Sequence, residues 1–99
     1  MGQIVHFFKG PTMESVVSPQ GDEPSRALVY VQGYVVGESR PRMWELELQK
    51  VSQQGNLVFI LGMCWLVDRD ERRLTEQPVQ YTGHMIWVNN LAQGVLLTD

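Results

Sequence analysis

The sequence predicts an all-β domain, a small antiparallel barrel or sandwich of five to six strands in a meander-like order, with little or no helix. Three patterns carry that expectation. The run Leu57–Val67 is apolar at odd and even positions alike, so both of its faces must leave water, as in a central strand. Residues 43–51 alternate instead, with Trp44, Leu46 and Leu48 on one face and Glu45, Glu47 and Gln49 on the other, which describes a strand with one wet face. Between these segments stand short clusters of Gly, Pro, Asn and charged residues, the composition of tight turns.

Taken in order, residues 3–8 are apolar and aromatic and are stopped by Gly10-Pro11, which makes a first strand. A long polar loop follows, about residues 10–26, with Pro19-Gln20-Gly21-Asp22-Glu23-Pro24 at its tip. Residues 26–36, rich in Val and Tyr, form a strand in which Gly33 marks a bulge or a close backbone crossing. Residues 37–42 turn the chain into the alternating strand, and Gln53-Gln54-Gly55-Asn56 is a hairpin turn into Leu57–Val67. The charge block Asp68-Arg69-Asp70-Glu71-Arg72-Arg73 reads as a solvated hairpin tip. Residues 74–81 are interrupted by Pro78, which has no N–H to give a ladder and suits an edge or an irregular connector. Gly83 precedes a strand at residues 84–88, Asn89-Asn90 turns the chain, and residues 94–98 close the sheet.

The bulk composition bounds what such a domain can do. At 99 residues the chain is a single β domain, residues 1–99, with 43% apolar residues and nine aromatics to fill a core. Two Lys and six Arg against eleven acids leave a net charge of −3, with no broad polyanion-binding excess. The one cysteine, Cys64, lies inside the apolar run, so it reads as packing in a reducing compartment and not as a nucleophile, which would need exposure and a neighbouring base. The first residues, Met1-Gly2-Gln3-Ile4-Val5-His6, lack the pattern of a secretory signal, and the eleven-residue apolar run is too short for a membrane-spanning helix. The expectation is a cytoplasmic protein with no membrane insertion.

No reaction chemistry is written in the chain. There is no Gly-rich phosphate loop, Gly-x-Ser-x-Gly elbow or His-Glu-x-x-His, and the Asp-Thr/Ser-Gly triplet of a dimeric aspartic protease is absent, Tyr81-Thr82-Gly83 carrying a Tyr in its place. Asp68-Arg69-Asp70 echoes the start of a calcium loop, yet Arg73 stands where that loop requires Gly. His6 and His84 stand at unrelated positions, and a metal site there would need a carboxylate such as Glu76 to converge with them. The expectation is therefore no enzyme, no cofactor and no metal.

By elimination the sequence points to a small β subunit or adaptor that binds another protein, including a copy of itself, since two-sided apolar strands are more than a short chain covers alone. The candidate partner-binding loop is the polar segment with its apolar foothold: Met13, Val16, Val17, Asp22 and Glu23. Two alternatives stay open. One is an OB-like barrel binding single-stranded nucleic acid on Arg26, Tyr30, Tyr34, Arg40, Arg42 and Trp44, a reading that the net charge disfavours. The other is a small-ligand-binding barrel.

Overall fold

A computed structural model describes residues 2–16 and 27–99. Six antiparallel strands close into a barrel in the order β1-β2-β3-β4-β5-β6, with β6 returning to pair with β1. The strands are β1 (Ile4–Lys9), β2 (Leu28–Val35), β3 (Arg42–Gln54), β4 (Leu57–Val67), β5 (Val79–Val88) and β6 (Leu91–Thr98), and a single helical turn, α1 (Met13–Val16), follows β1. Each strand pairs with its sequence neighbours, so the predicted meander is the observed one and the choice between barrel and sandwich falls to the barrel. Among the described residues no helix is long and apolar enough to cross a membrane.

Closure depends on two bulges, each facing a glycine. The β1–β2 register slips between Phe7 and Lys9, making Phe8 the extra residue, and a Cβ on the facing Gly33 would stand 2.4 Å from His6 O and from Phe7 Cα. Gly33 is thus the close crossing that the sequence indicated. In β3 the register slips between Leu48 and Lys50, and a Cβ on Gly62 opposite would stand 1.9 Å from Glu47 O. Bulges raise local twist and bend the strand, which lets a six-stranded sheet coil shut.

The turns follow their residues. Asn89 and Asn90 both have positive φ, 51° and 68°, as a two-residue I′ hairpin requires. Gly55, at φ 61°, opens the β3–β4 turn. Two expected strand starts move most. The fifth strand begins at Val79, directly after Pro78, and runs through Gly83 instead of starting beyond it; the last begins at Leu91, not at residue 94. Within the long loop, Met13–Val16 form α1, opened by Thr12, whose carbonyl accepts from Ser15 N at 3.1 Å while the two hydroxyls meet at 3.0 Å.

The barrel interior is the core. Val5, Phe7, Val31, Trp44, Leu46, Leu48, Val58, Ile60, Cys64, Tyr81, Met85 and Leu96 fill it, one face of each strand by the period of two. Tyr81 keeps its hydroxyl bonded by donating to Glu47 O at 3.2 Å. The segment after β1 closes one mouth: Trp87 Nε1 donates to Pro11 O at 3.1 Å, and Val16 packs into the core. Trp44, Leu46 and Leu48 face inward as the alternation predicts. Glu45 does not face solvent: it is 5% exposed, because a segment distant in sequence folds over it.

Candidate functional site

That covering segment is the link between β4 and β5, and it forms a strap. Arg73 does not sit on a solvated tip. Its Nε and Nη2 reach Glu45 Oε1 at 2.8 and 2.7 Å, while Tyr30 Oη donates to Glu45 Oε2 at 2.7 Å. The guanidinium lies 3.6 Å from the ring centroid of Trp65, the cross-strand neighbour of Glu45. Trp65 Nε1 is buried with no hydrogen-bond partner, so packing and the cation hold the indole. At the root of the strap, Asp68 Oδ1 accepts from Asp70 N at 2.9 Å and Arg72 N at 3.0 Å. The phenol of Tyr30 is pushed up to about 12, first by its hydrogen bond to the Glu45 carboxylate and then by burial.

The strap covers the outer face of the barrel at Glu45, Trp65 and Val67; the remaining outer face carries almost no charge. Strands β2, β4, β5 and β6 contain no Asp, Glu, Lys or Arg, β1 has only Lys9 at its end, and β3 holds Arg42, Glu45, Glu47 and Lys50. Cross-strand register aligns the outward residues into rows. One row runs Phe59–His84–Val95–His6–Tyr34 across β4, β5, β6, β1 and β2. The next runs Leu61–Thr82–Leu97–Ile4. Phe59 and His84 lie tilted with ring centroids 6.4 Å apart, and Phe8 packs on Tyr34 at 5.5 Å. Ile4, Phe8, Ile86, Val88, Leu91 and Leu97 stand exposed on this wall, Leu97 by 49%.

Single exposed apolar residues are ordinary, whereas this wall is contiguous and uncharged, mixing apolar residues with His6, Thr82 and His84. The sequence reading missed this wall, though a signal was available: every second residue of β5, β6 and β1 up to the bulge is uncharged while the inward set is already apolar.

Of the residues expected to bind a partner, Met13 and Val16 lie among the described residues. Val16 is 7% exposed and belongs to the core, so it is unavailable to another protein, whereas Met13 stands exposed on α1. Val17, Asp22 and Glu23 lie outside the described residues, as does Arg26. The expected nucleic-acid face separates. Trp44 is inside the barrel, where it cannot stack on a base, and Tyr30 is committed to Glu45. Tyr34 alone is on the open wall. Arg42 is paired with Glu38, Nε to Oε1 at 2.6 Å. Arg40 and Arg42 line an open cleft of about 880 Å³ at one barrel end, floored by Met43, Leu66 and Leu74.

Chemistry between side chains is sparse. Among the described residues no three of His, Cys, Asp and Glu gather as metal ligands; His6 and His84 face the same Val95 from opposite sides. Burial pushes the Cys64 thiol up to about 11, which disfavours the nucleophilic thiolate. Comparisons of this chain with protein-family models, with curated proteins and with solved structures give no match.

Proposed function

We propose that the protein is a non-enzymatic β-barrel subunit that acts by protein–protein interaction through its uncharged outer wall, and that a second copy of the chain occupies it. The observation that supports this most directly is the lack of any formal charge on the outward positions of β5, β6 and β1 up to the bulge, beside exposed Ile4, Ile86, Val88, Leu91 and Leu97. In a two-fold contact a patch meets itself, so a charged patch repels its copy and a neutral one does not. The three strands span roughly 14 Å across and roughly 27 Å along, a face of roughly 400 Å², about half of the ~800 Å² that one partner contributes to a standard interface and in keeping with a reversible contact.

The remaining chemistry supports binding over catalysis. Cys64 is in the core, and His6 and His84 face apolar or phenolic neighbours instead of a carboxylate or a nucleophile. The small-ligand alternative has little room, since Phe7, Trp44, Tyr81 and Met85 fill the barrel. Sedimentation equilibrium of the full chain at pH 7.5 and micromolar concentration tests the reading. Wild type should be dimeric. Leu97→Glu, at an exposed outward position, should be a folded monomer whose urea midpoint no longer depends on protein concentration. A wild-type monomer at 100-fold higher concentration, on the order of 0.1 mM, would overturn it.

A further inference from the structure

We infer that association through this wall is gated by pH, with His6 and His84 as the switch; the inference rests on the self-association reading above. They are the side chains on the central row of the wall that ordinarily change charge between pH 5 and 8, and they flank Val95, the middle of that row.

No anionic group lies among their cross-strand neighbours. His6 faces Val95 on β6 and Tyr34 on β2, with Gln93 and Leu97 diagonal to it on β6 and Gln32 and Val36 diagonal on the other side. His84 faces Phe59 on β4 and Val95 on β6, with Leu57, Leu61, Gln93 and Leu97 diagonal. The one titratable side chain in that set is the Tyr34 phenol. No carboxylate faces either imidazole across a strand pair, and a second copy of the same wall brings none.

Water therefore solvates the imidazolium ions of the separate chain, and closing the wall removes that water. Contact favours neutral imidazole, so protons oppose association. The sign is fixed: affinity falls as pH drops. Each imidazole that must enter the contact without its proton contributes its own factor, and the factors of the four in a dimer multiply. The same row in its neutral form is favourable, since imidazole, phenyl and phenol rings pack as aromatic surface.

The experiment is sedimentation equilibrium of the full chain at pH 7.5 and 5.5 at constant ionic strength, for wild type, His84→Gln and His6→Gln/His84→Gln, with far-UV circular dichroism at both pH values to establish that each protein stays folded. The expected result is a wild-type dimer whose Kd weakens by at least about 100-fold at pH 5.5, a smaller shift for His84→Gln, and a double variant that remains dimeric at pH 5.5. A wild-type dimer with the same Kd at both pH values overturns the switch while leaving self-association intact. A double variant that dissociates as wild type does also overturns it. A monomer at both pH values removes the self-association reading and the switch together.

Discussion

Arg73→Ala should destabilise the fold by about 2–3 kcal/mol, a large effect for a residue on a connecting loop. Breaking a fully buried ion pair costs about 3–5 kcal/mol because the surviving charge is stranded. The Glu45 side chain is 7% exposed, but that of Arg73 is 45% exposed, so water can enter where the guanidinium leaves and the cost falls toward that of a charge-assisted hydrogen bond, about 1.5–3 kcal/mol. The contact over Trp65 adds about 0.5–1 kcal/mol at a half-exposed position. Glu45→Gln keeps an acceptor for Tyr30 and frees an arginine that water can solvate, so it should cost only about 1 kcal/mol. A double-mutant cycle should then give a coupling of about 1–2 kcal/mol. Urea unfolding followed by tryptophan fluorescence measures all three variants. An Arg73→Ala midpoint indistinguishable from wild type, or zero coupling, would mean that the strap does not hold to the barrel and that Glu45 is solvated.

Two further measurements probe the interior. Leu46, fully buried, should lose about 2–5 kcal/mol on truncation to Ala, while Glu47→Gln, one position along and on the outer face, should stay within about 0.5 kcal/mol; comparable costs in urea titrations would mean that the facing of β3 is wrong. Cys64 should resist a disulfide-exchange reagent at pH 8 and react at once in urea. The unfolded thiol loses its proton near its ordinary value of 9.0 and the folded one near 11, so between those values the unfolded state binds fewer protons and stability falls as pH rises. Cys64→Ala should flatten that part of the pH profile, and an unchanged slope would assign it to the tyrosines.

What the chain reveals about its own fold follows the range of each interaction. Leu57–Val67 and the Asn89-Asn90 turn are legible because period and turn chemistry are local. Gly83 misleads: alone it reads as a break, but in the barrel a Cβ there would stand 2.7 Å from Leu96 Cδ2, so glycine is what lets β5 continue past β6. The burial of Glu45 is not written near Glu45, since its partner Arg73 is 28 residues away. Barrel over sandwich was equally hidden, because the deciding pair, β1 with β6, joins the two ends of the sequence. Of the expected binding residues, Val16 packs in the core, and an apolar residue in a polar loop has the same sequence signature whether it anchors a partner or packs on its own barrel.

The two-sided apolar character of β4 has two different solutions along its length. At Trp65 and Val67 the chain supplies its own cover, and the strap is secured by charge: a carboxylate on β3, a guanidinium from the loop, an indole beneath. Phe59 and Leu61 have no such cover; Phe59 is 40% exposed, and the rows running from them across β5, β6 and β1 contain no charge to fasten a strap. A charged clasp gives one loop one geometry, whereas a neutral face accepts its own copy without like-charge contact. The two regions should therefore respond separately. Strap substitutions should lower the urea midpoint at any protein concentration, whereas a charge at Leu97 should act on the proposed association and leave the barrel folded, because Leu97 points away from the core.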